Sequence, residues 1–384
     1  MVERAALLFE LFRDALGTVP FPEEHLSLLT EETVLSLYPI AKDHDLAHLL
    51  SEALGKHGLL TENEISQKLI KQQMLAVYRY ERLHAAFQKI CAVLEKENIP
   101  YLPLKGSVIR SLYPAPYLRT SCDIDILVKE EAVEKAIAAL LAAIPTEKDI
   151  ERAYHDVSLY FKGGIHLELH FSILESSARM DQVLARVWDY TEEDGKGTFR
   201  QKMTAEFFLF HQITHAAYHF QTGGCGIRPF MDVFLIQQKM PCDKEKLNAL
   251  LEEASLSAFY THFTALARVW FLGEAHTAVT AQMERYLLGG GTYGSLENRV
   301  TLSASDGRGK HLWKRIFPSF RSLVKVYPQL AKLPVLYPFY VIKRWFGIFN
   351  RKKRRKAVTE IKQTVSLTDE KREDVSSLFH ALRL

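Results

Sequence analysis

The chain has 384 residues, 47% of them apolar, which is enough hydrophobic material for two or three packed units and too much length for one ordinary core. Its formal charge of +3 comes from the six basic residues 351–356; without them 43 Lys and Arg face 46 Asp and Glu, which excludes the broad basic surface of a general nucleic-acid binder or polymerase. No apolar run approaches the roughly 18 residues of a spanning helix, and Met1-Val2-Glu3-Arg4 lacks the pattern of a cleavable signal, so a cytoplasmic protein with no transmembrane segment is expected.

Residues 1–65 read as a helical N-terminal region, with Leu7, Leu8, Leu11 and Phe12 at helical spacing and breaks at Gly17–Pro22 and Gly55–Gly58. A core over 66–200 follows. It opens on the longest predicted helix, about Ser66 to Glu97, with Leu75, Val77, Tyr78, Leu83, Phe87, Ile90 and Leu94 as one apolar stripe and Asn98-Ile99-Pro100 as its end. Tyr101–Leu104 reads as a strand feeding the turn Lys105-Gly106-Ser107, and Val108–Leu112 as a short helix. A strand through Asp123–Val128, a helix over Glu131–Ala143 and a hairpin of Val157–Phe161 and Ile165–Phe171 about Lys162-Gly163-Gly164 complete the unit. The fold class is therefore α+β, a small mixed sheet with helices on one face and mostly helical flanks. Residues 201–349 read as a helical C-terminal domain, interrupted at Gly223–Gly226 and Gly289–Gly291, with a mobile surface loop at Ser303–Gly309 and an aromatic, proline-kinked stretch at Leu333–Phe349. Residues 350–384 form a basic and charged tail, with a loosely attached helix expected over Thr359–Leu384.

The chemistry concentrates in the core. Successive strand side chains point to opposite faces, so Asp123 and Asp125 project from one face roughly 6.6 Å apart. An Asp-x-Asp alone also describes the solvated face of an edge strand. Here Ile124, Ile126 and Val128 fill the other face and Leu127 continues the Asp face as apolar, which puts the carboxylates at the mouth of a buried strand, where charges are usually recruited for something. Alternation in His166-Leu167-Glu168-Leu169-His170 puts Glu168 and both histidines on one face. Three carboxylates suit magnesium or manganese, which prefer oxygen ligands. A glycine turn entering a helix, Lys105-Gly106-Ser107, suits an anion such as phosphate.

Other candidates are weaker. His211, His215 and His219 recur every four residues and share one helix face; they are read as lining a cleft or packing against the core, together with His170, Arg228 and Asp232, the last two four apart and able to pair with each other. The four cysteines show no Cys-x-x-Cys pair and are expected to be reduced. Cys122 adjoins Asp123, a negative field that argues against a thiolate nucleophile.

In order along the chain, Lys105-Gly106, Leu112-Tyr113-Pro114, Arg119, Asp123-Ile124-Asp125-Ile126-Leu127-Val128 and Glu168-Leu169-His170 resemble the nucleotidyltransferase superfamily that includes DNA polymerase beta. More narrowly, they resemble a family of uncharacterised bacterial nucleotidyltransferases. The resemblance is densest over 95–175, with a looser echo to about 345. It implies that Gly106 and Ser107 cradle a triphosphate, that Asp123, Asp125 and Glu168 hold the metal, and that Lys105 and Arg119 offset phosphate charge. The interval from Ser107 to Asp123 is longer than the superfamily's usual one, as in the narrower family. The implied reaction moves a nucleoside monophosphate from a nucleoside triphosphate to an acceptor that is a small molecule, an RNA or a protein, with release of pyrophosphate. Two rival readings are a non-catalytic nucleotide-binding regulator or toxin/antitoxin component, and a scaffold that contacts an anionic surface through Arg351 to Lys356.

Overall fold

The computed structural model describes residues 2–175, 177–292, 294–303, 319–320, 323–324, 327, 329–346 and 368–384. Helices α1 (Val2–Leu16), α2 (Glu31–Asp43) and α3 (Ala47–Lys56) lead into the 33-residue α4 (Glu64–Lys96). This helix begins where the Asn63 side chain accepts the Ser66 N–H at 2.9 Å, and the chain leaves it through Asn98, in the left-handed region at φ 54°, which Asn tolerates better than most residues. Its two ends work in different cores: Ile65 and Leu69 join a large helical core, while Leu83, Phe87, Ile90 and Leu94 lie against the sheet. The continuous stripe expected along α4 therefore breaks. Leu75, Val77 and Tyr78 are 36, 37 and 60% exposed, because the helix there crosses from one core to the other.

Strands β1 (Tyr101–Pro103), β2 (Ile124–Val128), β3 (Glu151–Arg152), β4 (Asp156–Phe161) and β5 (Ile165–His170) form one sheet in the order β1-β2-β5-β4-β3. Only β2 and β5 pair in parallel. Helix α5 (Gly106–Ile109) follows β1, and α6 (Val133–Ala143) follows β2. The apolar face of the sheet, including Ile124, Ile126, Leu159, Leu167 and Leu169, packs with residues of α4 and α6. With both helices on that side, the opposite face is free to carry polar groups. The mixed sheet, its hairpin at Gly163-Gly164 and its helical flanks match the expected α+β architecture.

A short α7 (Ala178–Leu184) and a hairpin of β6 (Thr191–Glu193) and β7 (Gln201–Met203) lead to α8 (Ala205–Gln221) and α9 (Arg228–Lys239). Beyond them run α10 (Lys244–Glu253), α11 (Ser257–Leu272), α12 (Ala278–Leu288) and α13 (Leu296–Ser303). One core unites these helices with the N-terminal ones: Phe9 of α1 stacks on Trp270 of α11 at 4.6 Å, and Phe230 of α9 on Phe263 at 3.8 Å. Among the described residues no helix is long and apolar enough to cross a membrane.

Helices α14 (Gln329–Lys332), α15 (Tyr337–Phe346) and α16 (Asp369–Leu382) complete the described elements. The last corrects an expectation. Far from loosely attached, α16 buries Val375, Leu378 and Leu382 in the large core and sets the Phe379 ring 5.5 Å from Phe220. Its apolar positions three and four apart were masked by the charges between them. Residues 304–309 of the expected loop, the basic run 351–356 and residues 359–367 lie outside the described residues.

Candidate active site

The parallel pairing of β2 with β5 aligns Asp125 directly with Glu168, and Ser158 of β4 lies next in the same row. One residue before β2, Asp123 opens the strand. Two overlapping groups result, Asp123, His166 and Glu168, and Asp125, Glu168 and His170, each with its ligand atoms within 4.8 Å of one another. Glu168 belongs to both. Residues 43 positions apart are thus joined by strand register alone.

Two cations sit among these acids. His170 Nε2 lies 3.1 Å from Asp125 Oδ1 and 3.4 Å from Glu168 Oε2, and Lys105 Nζ lies 3.3 Å from the same Asp125 oxygen. Burial pulls the Asp125 carboxyl up, but Lys105 and His170 outweigh it and hold the group well below the usual carboxylate range. Burial likewise opposes charge on His170, yet its bonds to Asp125 and Glu168 raise it to about 9, so the ring is an imidazolium at neutral pH. Asp123 is displaced upward, by burial and then by the charges of Asp125 and Glu168. Three carboxylates against two cations leave a net negative, oxygen-rich cluster. That oxygen donor set fits a hard divalent cation such as magnesium or manganese.

The turn preceding the site is strained. Lys105 has φ 40° and ψ −116°, an unfavourable conformation for a residue with a Cβ, of the kind that persists where surrounding structure imposes it. Two bonds do so: Leu104 N–H donates to Asp125 O at 3.0 Å, and Lys105 O accepts from Ile109 N–H at 3.0 Å. Arg110, which sequence reading passed over, is 8% exposed and donates to Gly106 O at 2.7 Å and Ser121 Oγ at 2.9 Å. It ties the Gly106-Ser107 turn to the loop carrying Asp123. The signal for it was its position four residues after Gly106.

Arg119 has its Nη1 close to Gly106 and is held by α9. Its Nε and Nη2 donate to both oxygens of Asp232 at 2.9–3.0 Å, and Tyr113 Oη donates to Asp232 Oδ1 at 2.7 Å. The pairing of Arg228 with Asp232 expected from their spacing does not form, because Arg119 takes that carboxylate. Arg228 instead bonds Asp45 Oδ2 at 2.5 Å, which also accepts from Thr120 Oγ1 at 2.9 Å. Asp45 lies in the α2–α3 connection, so that connection and α9 together hold the loop that precedes β2.

The histidines of α8 do approach the site. His211 and His215 line a cavity of about 60 Å³ together with Lys105, His155, His170 and Glu175. His215 Nδ1 lies 2.7 Å from Glu175 Oε1, and His219 Nε2 lies 3.2 Å from His215 Nε2. Burial, aided for His211 by His215 and for His215 by Lys105, drives both rings down to about 3, so they are neutral at physiological pH. Neither belongs to a metal-capable group among the described residues. Glu175 was missed by the sequence reading; its only cue was a position five residues beyond His170. All four cysteines are free, and Cys122 is exposed.

Residues 30–272 match a family model described as uncharacterised nucleotidyltransferase. The chain belongs to that family. A search of curated proteins and one of solved structures gave no match. The matched span of this nucleotidyltransferase takes in the whole sheet, the carboxylate cluster, the α8 histidines and Asp232. It ends within α11's last residue, leaving 273–384 outside. The protein is thus a transferase of the nucleotidyl class, with an acidic cluster that could hold a metal ion.

Proposed function

We propose that this nucleotidyltransferase moves a nucleoside monophosphate from a nucleoside triphosphate to an acceptor, with magnesium or manganese held by Asp123, Asp125 and Glu168. The observation that carries this reading is the alignment of Asp125 with Glu168 on adjacent parallel strands, with Lys105 of the glycine turn 3.3 Å away. A divalent ion bound there supplies positive charge to the triphosphate and acidifies the acceptor hydroxyl. The acceptor oxygen forms its bond to the α-phosphorus as the bond to pyrophosphate breaks in line, and Asp125 or Glu168 takes the acceptor's proton. Lys105 is a mobile-chain cation at the rim of the cluster, suited to leave Asp125 for a phosphate oxygen. Gly106 and Ser107 bring backbone to the same phosphates, and Arg110 holds that turn in place. Arg119 acts as a positioning residue through Asp232. His170, His211 and His215 line the adjoining cleft, where the acceptor enters. A nucleoside triphosphate donor supports a cytoplasmic reaction in this reading.

The test is incubation of the purified protein with each α-labelled nucleoside triphosphate, magnesium or manganese and a cell extract, beside Asp123→Ala/Asp125→Ala. Label transferred to an extract component by the parent alone is the expected result. Equal transfer by both proteins would sink the mechanism.

A further inference from the structure

We infer that the cavity between the second half of α4 and the β4–β5 hairpin is a binding site for a small organic anion with an apolar body, separate from the carboxylate cluster. The cavity holds about 240 Å³. Its apolar lining includes Ile90 of α4, Phe161 of β4 and Ile165 of β5, side chains of the sheet core itself. Its charged lining is Arg82, Lys89 and Lys162, with no acidic residue among the lining. An apolar hollow with a few convergent polar groups is the usual form of a small-molecule pocket.

The charge selects an anion. Other cations of this chain are matched, Arg119 by Asp232, Arg152 by Glu134 and Arg228 by Asp45. Among the described residues none of Arg82, Lys89 and Lys162 forms an ion pair, and Arg82 Nε is buried without a hydrogen-bond partner. The Arg82 guanidinium lies against the hairpin, with Nη1 3.4 Å from where a Cβ on Gly164 would stand. Like charges gathered on one hollow repel, and a bound anion relieves that repulsion.

The size and the apolar walls select the rest of the ligand. An apolar cavity of about 150 Å³ suffices for benzene, and drug-sized ligands take about 300 Å³ or more, so this one admits a single aromatic ring or a short acyl chain and not a nucleoside triphosphate. A bare inorganic anion would leave Ile90, Phe161 and Ile165 without a role. The position excludes a reactant. Phe161 and Ile165 belong to the face of the sheet that packs on helices, whereas Asp125 and Glu168 project from the other. The ligand is therefore neither donor nor acceptor of the proposed transfer, and the inference stands apart from that reading.

Isothermal titration of the full-length protein with hexanoate and with phenylacetate tests this, beside hexanol, which keeps the chain and drops the charge, and acetate, which does the reverse. At least one of the two carboxylates should bind at one site, about tenfold or more tighter than hexanol and acetate, and more weakly in high salt. Arg82→Gln should lose about tenfold or more, since a hydrogen bond to a charged group is worth at least that. Lys89→Gln/Lys162→Gln should do the same; both of these side chains are exposed, so an unchanged thermal transition shows the fold intact, and the comparison of ligands on the parent needs no variant at all. Absence of binding by both carboxylates overturns the proposal, as does acetate or hexanol binding as tightly as they do. A folded Lys89→Gln/Lys162→Gln protein and a folded Arg82→Gln protein that both bind like the parent would place the ligand elsewhere and overturn it too.

Discussion

Asp123 and Asp125 are two residues apart and do opposite things to the fold. Asp125 is 6% exposed and compensates Lys105 and His170; Asp123 feels chiefly burial and the other carboxylates. Without divalent metal, Asp125→Asn should destabilise the protein by about 3 kcal/mol, because a buried ion pair is broken from one side. Asp123→Asn should leave stability unchanged or raise it, since repulsion is relieved. Both should abolish transfer. Denaturant midpoints measured in a chelator decide this, and a matching loss for the two variants would contradict the assignment. His44 offers a pH test away from the cluster. It is 1% exposed, and burial lowers its pKa to about 4, against about 6.5 in an unfolded chain. The folded value is the lower one, so the fold favours the neutral ring. Its contribution is complete above about pH 6.5 and is lost as pH falls through 4, up to about 3 kcal/mol. Unfolding midpoints followed across that window should fall less steeply in His44→Gln than in the parent.

At the scale of elements, the sheet unit is tied to α9 by a fork of Arg119 on the buried Asp232, with Tyr113 on the same carboxylate. Removing Asp232 strands a guanidinium that is hydrogen-bonded through three donor contacts. Asp232→Ala should cost about 3 kcal/mol, and Arg119→Lys should fail to preserve stability because an ammonium cannot reproduce the two-pronged geometry. Thermal unfolding of the two variants and of their combination reads the coupling; additive losses would mean that the fork is not the link. Helix α16 provides a second check. Leu378 is 1% exposed, so Leu378→Ala should cost about 3 kcal/mol through the cavity left behind. A loss of a few tenths would restore the loosely attached helix that the charged sequence suggests.

At the scale of the molecule, what the sequence disclosed follows from period. Strand alternation placed Asp123, Asp125, Glu168 and the flanking histidines on one face, and the glycines of Lys162-Gly163-Gly164 marked the hairpin; both depend on neighbours along the chain. Long-range partners were not legible. The fork from Arg119 spans 113 residues and the bond from Arg228 to Asp45 spans 183, and local spacing favoured the nearer but wrong pair of Arg228 with Asp232. Glu175 and Arg110 escaped notice for a related reason, since each is a lone charge whose burial only the packed helices create. The broken stripe of α4 belongs here too: periodicity shows an apolar face, but not that two separate cores share it.

The parallel pairing of β2 with β5 also orders events in time. Between Asp125 and Glu168 run α6, β3 and β4, so closing this parallel pair costs the entropy of a long loop, which makes such pairings intrinsically slow to form. During synthesis the two aspartates therefore emerge without their third carboxylate, held by no partner strand. The two groups of side chains that could hold a metal ion are complete only when β5 lies beside β2, since each includes Glu168.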